Sequence, residues 1–407
     1  MNKRLKSRET GSALCLIVVA VILLTLTGMA LLNLGFQSRI NAIRTAQGIQ
    51  ARWSADAGLI KAVVEMNNKL TAKTWSDTSM PAVTDEALFQ SDQSFSYQVD
   101  KDGSGNYTVT STGMTGPAIK RVYATMGFKG LFDSAILVKD RISLMPNTLV
   151  AGYNSEDATD TDFDLKIGTT STAANSIPIG PGTVIEGDVF VGVGGDPGTV
   201  IGSGGTITGQ KLTLHEELDF PVITPPSLPD TGTALSAIGA TITLDPTGSG
   251  TYTEISLSQS GGNPGLIEIQ GGDVVLYITG DIDLGNGCEV IVRPGSSLTL
   301  YVDGDISADN SVGFNNQAGN VKDFQLFATG MDEQVFSLKA KSSIFGTIYA
   351  PDVDITLYPS TEMRGAIVGK NVTFKSGGTF YYDEALRDNI SIDDVGARFT
   401  IKRWREE

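Results

Sequence analysis

The sequence predicts an α+β chain: a long N-terminal transmembrane and amphipathic helix, a small antiparallel β region, and a head built like a right-handed parallel β-helix. Three observations carry this expectation. An uncharged apolar run extends from Ser12 to Gly35, a helical apolar stripe continues past it, and a seven-residue strand pattern recurs 24 residues later in the C-terminal half.

At 407 residues the chain exceeds one small core, and the prior of one domain per hundred or two residues gives two or three units. We divide it into a leader (1–11), a helix (12–70), a linking region with a β-hairpin (71–130) and a β-rich head (131–407). Residues 1–70 carry nine Lys or Arg against three acids, a net of +6, so the remainder must carry −22 for the chain to total −16. Such an acidic, Gly-rich remainder repels nucleic-acid phosphates, and no nucleic acid is expected as a partner. Cys15 lies in the apolar run and Cys288 in an expected strand, which suggests neither a disulfide nor a thiolate metal site.

At about 1.5 Å per residue, Ser12–Gly35 is long enough to cross a hydrocarbon core of roughly 30 Å. The leader MNKRLKSRETG holds four basic residues and one acid, which keeps it cytoplasmic and sends the acidic bulk outward as a single-pass inner-membrane topology. A removable secretory signal is the alternative, but the run is longer than such signals use and lacks a small-x-small cleavage site. Beyond it Phe36, Ile40, Ile43, Ala46, Ile49, Trp53, Ala57, Ile60 and Val63 recur at three- or four-residue spacing. With no proline between Ser12 and Asn68, span and stripe form one continuous rod.

A short basic leader ending in Gly, followed by Gly11-Ser12-Ala13-Leu14, an apolar run, Arg39 and Ser54-Ala55-Asp56-Ala57-Gly58-Leu59, resembles the N-terminal region of PilX-type pilus assembly proteins, a branch of the type IV pilin-like proteins. The resemblance covers about the first 65 residues. It implies prepilin-peptidase cleavage between Gly11 and Ser12, and assembly with other pilin-like subunits and inner-membrane assembly proteins through a helix face that includes Leu16, Phe36, Ile40, Ile43, Trp53 and Leu59. Major pilins carry Glu at the fifth mature position, where this chain has Leu16. That departure implies a minor, low-copy component.

Phe95, Tyr97 and Val99 alternate with polar residues, as do Tyr107, Val109 and Ser111, and the Asp100–Asn106 turn between them reads as a hairpin. A third strand is expected over 119–128. The same turn partly matches a Ca²⁺ loop, but Ser111 stands where the bidentate Glu belongs. From residue 131 short β-branched runs alternate with Gly and Asp turns, interrupted by a Pro-rich crossing at 220–230. Leu276-Tyr277-Ile278-Thr279-Gly280-Asp281-Ile282 recurs as Leu300-Tyr301-Val302-Asp303-Gly304-Asp305-Ile306. A second echo displaces Gly346, Ile348, Val353 and Ile355 by 19 residues, onto Gly365, Ile367, Val372 and Phe374. Repeats of about 20 residues suggest coils that bury one face against their neighbours, with a β-sandwich as the competing architecture. Residues 274–386 also resemble a domain found behind PilX-like N-termini, through 300–306, 345–351 and Tyr381-Tyr382-Asp383-Glu384-Ala385-Leu386. Arg398–Trp404 reads as a final strand covering the end of the β-helix, or as a partner-binding tail.

A β-helix can also carry glycan-cleaving chemistry, and Asp281, Asp283, Asp303 and Asp305 sit at repeated positions that could pair carboxylates. Beside Gly280 and Gly304 they read first as turn residues. His215 is the only histidine, which excludes multi-histidine metal sites, and no G-x-S-x-G elbow accompanies it. The Gly-rich stretch 192–198 lacks a following helix, and 365–371 misses the P-loop spacing. The acidic stretch 156–164 reads as a solvated loop or a loose Ca²⁺ site. No enzyme activity, cofactor or metal is expected. The rivals to a filament component are a membrane-anchored glycan enzyme and a surface adhesin unrelated to pili.

Overall fold

The computed structural model describes residues 12–103, 105–157, 159–160, 162–308, 313–330, 333–338, 344–358, 362–375 and 377–407. They form two compact units: the chain up to Gly127 together with Phe399–Glu407, and Phe128–Arg398.

In the first unit, α1 is a single helix over Ser12–Thr71. It ends where Lys73 takes a left-handed φ of 52° and the Thr74 and Lys73 amides donate back to the Lys69 and Leu70 carbonyls, satisfying carbonyls the helix leaves open. The sheet comprises β1 (Ala82–Ala87), β2 (Gln93–Lys101), β3 (Tyr107–Thr115) and β4 (Ala118–Lys129), all antiparallel. Its fifth strand is the C-terminal segment Arg398–Glu406, on the far side of β4. This corrects the expectation that the closing segment covers a β-helix end: its pairing goes to this antiparallel sheet, with the Glu407 amide donating to the Arg121 carbonyl at 3.0 Å. β1 has no counterpart in the sequence expectation, because Ala82–Ala87 lacks apolar alternation; it is mostly exposed, with one irregular step against β2.

The turn after α1 is locked by Asp77, whose carboxylate accepts from Trp75 Nε1, Tyr107 Oη and Lys101 Nζ at 3.0, 2.6 and 2.5 Å. The Lys101 ammonium and the Tyr107 hydroxyl hold its pKa down to about 2. A depressed carboxylate stabilises the fold fully above its unfolded pKa, near 4, and that contribution disappears as pH falls towards 2. The Asp77→Asn variant is therefore expected to lose this part of the acid dependence. A melting temperature for the first unit that declines equally in both proteins between pH 4 and 2 would contradict this.

The second unit begins with β5 (Ile136–Ser143), β6 (Leu149–Tyr153), β7 (Lys166–Thr169), β8 (Val184–Ile185), β9 (Asp188–Val191), β10 (Thr206–Ile207) and β11 (Lys211–Thr213). After an extended crossing come β12 (Leu235–Ile238), β13 (Thr241–Leu244), β14 (Gly250–Tyr252), β15 (Ile255–Ser258), β16 (Leu266–Ile269) and β17 (Asp273–Ile278). Next are β18 (Ile282–Leu284), β19 (Glu289–Val292), β20 (Ser297–Val302), β21 (Ile306–Ala308), β22 (Gly313–Asn316) and β23 (Phe324–Ala328). The series closes with β24 (Val335–Leu338), β25 (Ile344–Leu357), β26 (Glu362–Phe374) and β27 (Thr379–Asp383).

These strands pair in parallel as successive rungs of large sheets. The 24-residue echo is a true register, with Leu276 beside Leu300, Tyr277 beside Tyr301 and Ile282 beside Ile306. The 19-residue echo holds for Gly346–Gly365 and Ile348–Ile367 and then fails. An irregularity between Ala350 and Asp354 absorbs two residues, so Ile355 faces Val372 and Leu357 faces Phe374. Alternation places Leu276, Leu300, Leu326, Ile348, Ile367, Ile136, Ile167 and Val189 in one buried column that runs through the whole stack.

The chain enters this stack at its middle. β26 receives β5 on its free edge and β27 receives β6, so a C-terminal arm (β12–β27) abuts an N-terminal arm (β5–β11) with no chain continuity across the joint. Residues 214–229 cross from the outer end of one arm to the outer end of the other, where Asp230 bridges Thr251 of β14.

Candidate functional site

α1 has two distinct faces. Ala51, Ser54, Ala55, Gly58, Leu59, Ala62 and Met66 are buried against β2 and β3 of the first unit. Ala51, Ser54 and Ala55 are small where the approach is close: a Cβ added to Gly113 of β3 would lie 2.0 Å from the Ala51 carbonyl oxygen and 2.3 Å from the Ala55 nitrogen. Over the packed part the opposite face keeps Ile49, Trp53 and Ile60 in the open, Trp53 and Ile60 each at 64% exposure, while Phe36 and Ile43 lie further N-terminal, where the helix is exposed on nearly every side. Large apolar side chains left this exposed along a regular stripe mark an interaction surface.

The sequence-derived site residues divide between these faces. Leu16, Phe36, Ile43 and Trp53 are exposed and Ile40 half-buried, all on α1. Leu59, grouped with them from the sequence, turns instead to the sheet and is 4% exposed. Its side chain is committed to the chain's own fold and is closed to a partner helix. Ser12 is the first helical residue, while Gly11 lies outside the described residues. Within the apolar run Thr25 and Thr27 return their hydroxyls to the Ile22 and Leu23 carbonyls at 2.8 Å, so neither brings an unmet donor into lipid. Among the described residues one helix is long and apolar enough to cross a membrane.

The carboxylates considered for glycan chemistry are occupied at the corners of the rungs. Asp281 Oδ1 accepts from the Asp305 amide and Asp305 Oδ1 from the Val335 amide, both at 2.8 Å. Asp303 takes the Tyr277 and Thr329 hydroxyls. In the N-terminal arm Asp188 repeats the device, accepting from the Gln210 amide at 2.6 Å. These acids fasten neighbouring rungs to one another, and Asp283 is exposed. His215 is exposed on the crossing. The Gly-rich stretch 192–198 does run into a helical turn, Pro197–Val200 capped by Asp196, contrary to the expectation that no helix follows. In the acidic stretch 156–164, residues 158 and 161 lie outside the described residues. Among the described residues, no group of three or more His, Cys, Asp or Glu is placed to hold a metal ion.

The joint explains the Tyr381–Leu386 motif, whose role the sequence did not disclose. Tyr382 Oη donates to the Phe132 carbonyl at 2.8 Å, Asp383 accepts from the Ser155 amide at 3.0 Å, and Glu384 accepts from the Asp164 amide at 3.0 Å. Arg387 joins Glu384 to Asp164. Each contact reaches the N-terminal arm, so the motif is a clasp. Burial, with the Asp383 charge nearby, raises the Tyr153 hydroxyl pKa well above the usual range, keeping that group neutral inside the joint.

Residues 230–389 match the profile of a domain of unknown function, DUF7305. The match begins at the rung formed by Asp230 and ends just beyond the clasp, so it spans the C-terminal arm. No curated protein matches the chain. Among solved structures the chain is similar to the competence-associated pilin ComZ from Thermus thermophilus, at 13% identity over 89% of this chain and 97% of that one, with a TM-score of 0.26. The chain combines a membrane-length N-terminal helix, an antiparallel sheet packed on the C-terminal part of that helix, and a second unit of large parallel sheets.

Proposed function

We propose that this protein is a minor pilin-like component, of PilX type, in a type IV pilus or related secretion filament. The observation that carries the reading is the division of α1: its small-residue face serves the chain's own sheet, while an apolar stripe continuous with the membrane-length run is left for other helices. The leader holds the precursor in the inner membrane until prepilin peptidase cuts after Gly11. The stripe from Leu16 through Ile60 then packs among other pilin-like helices. The absence of an acid at Leu16 fits a low-copy position. The head, which we read as a right-handed parallel β-helix, stands outside the cytoplasm and acts without catalysis, as a cap or binding element.

Mass and N-terminal sequence of the protein recovered from membranes test this reading. A mature chain beginning at Ser12 is expected. An intact Met1 would leave an ordinary signal-anchored protein and remove the filament role.

A further inference from the structure

The crossing between the arms has almost no slack. From the rung at Pro229–Thr231 the stack runs through β14, β17, β20, β23, β25, β26, β5, β7 and β9 to β11. Those ten steps cover about 48 Å at ~4.8 Å per rung. From Thr213 to Pro229 the chain reaches at most about 53 to 58 Å at ~3.3–3.6 Å per residue, about 5 to 10 Å more than the span.

Side chains secure the crossing. Tyr349 Oη donates to the Pro221 carbonyl at 2.8 Å, Arg398 pairs with Asp219 at 2.7 Å, and Lys139 lies over Phe220. Among the described residues no main-chain hydrogen bond ties His215–Leu228 to the rungs, and Val222 is 92% exposed. The segment is stretched over the stack and is not woven into it.

The joint it closes is made wholly of contacts between separate segments. Ile367 faces Ile136, Val372 faces Ile142, Phe380 faces Val150, and the clasp adds its three hydrogen bonds. Every one of these contacts is available to the same arm of another molecule. We infer that residues 214–229 are a taut tie whose length selects the closed single-chain head, and that the joint is an acceptance surface for the N-terminal arm of a second copy of this chain. When the tie cannot span the stack, arms are exchanged between copies.

The test uses the full chain in detergent, with Cys15 and Cys288 replaced by serine and a reporter pair, Arg141→Cys with Asn371→Cys, at register partners across the joint. With the natural tie, oxidation is expected to give an intrachain disulfide. Deleting Val222–Thr224 shortens the greatest reach to about 43 to 47 Å, just below the span. Interchain dimers on a non-reducing gel are then expected to rise about tenfold or more, since the intramolecular partner is out of reach. In the otherwise natural chain, inserting six Gly/Ser residues after Thr224 lengthens the tie and should keep the disulfide intrachain.

An intrachain disulfide in the deletion variant would show a slack linker and overturn the tie. Dimers in the insertion variant would overturn length selection. No disulfide of either kind in the deletion variant, with the insertion variant folded, would overturn acceptance of a second copy.

Discussion

Gly113→Ala is expected to destabilise the first unit by about 3 kcal/mol or more, at the upper end of overpacking effects. The new methyl group meets main-chain atoms of Ala51 and Ala55, which cannot rotate away as a side chain tip would. Only withdrawal of α1 from β3 makes room, and that opens the contacts of Ala55, Leu59 and Ala62 along the same face. Gly48→Ala is the matched control, since nothing lies within 4 Å of its added Cβ. It should stabilise α1 by up to about 1 kcal/mol through helix propensity. All three tryptophans, Trp53, Trp75 and Trp404, lie in the first unit, so denaturation followed by tryptophan fluorescence isolates its stability. Equal midpoints for Gly113→Ala and the parent would show that helix and sheet are not in close contact.

The second large effect is expected at the clasp. Glu384 is 4% exposed and holds both the Asp164 amide and Arg387. Glu384→Ala leaves the Asp164 amide without its acceptor and Arg387 with Asp164 and Asp388 alone, a loss of about 2 kcal/mol, in the range for an orphaned buried donor. Glu384→Gln keeps an acceptor for the amide and should lose less. Because the damage is local to the joint, hydrogen exchange should quicken in β5, β6 and β27 while β17 and β20 keep their protection. Uniform acceleration across the head would mean that the arms unfold as one block and that the clasp has no separate role.

What could be read from the sequence follows from which interactions are local in the chain. Leu276 and Leu300 occupy the same position on paired parallel strands, and Tyr277 and Tyr301 the same position on the opposite face, so that pairing prints itself as a repeat. The pairing of Ile367 with Ile136 leaves no such trace, because it joins arms that meet only through the return crossing. The extra residues beside Pro351 shifted the later half of the second echo by two places. On α1 the large residues of the outward stripe were legible, whereas the inward face mixes Ala, Ser and Gly with Leu59 and Met66, a pattern too sparse in large residues for hydropathy to mark it as a face. Leu59 was misgrouped for that reason. Arg398–Trp404 could be read as a strand, but strand pattern alone does not name the sheet it joins.

The late arrival of β26 also has a consequence in time. β5 gains β7 on one edge within a few dozen residues, but its other partner, Ile367, is made 231 residues after Ile136. At 5–20 residues per second, synthesis leaves that edge open for roughly ten to fifty seconds. During this interval Ile136, Val138 and Ile142 lie beside a row of unpaired amides and carbonyls, a template for pairing with any neighbouring nascent chain. Folding of the second unit should therefore depend on holdase chaperones more than its final stability suggests, and the dependence should end once β26 and β27 have emerged.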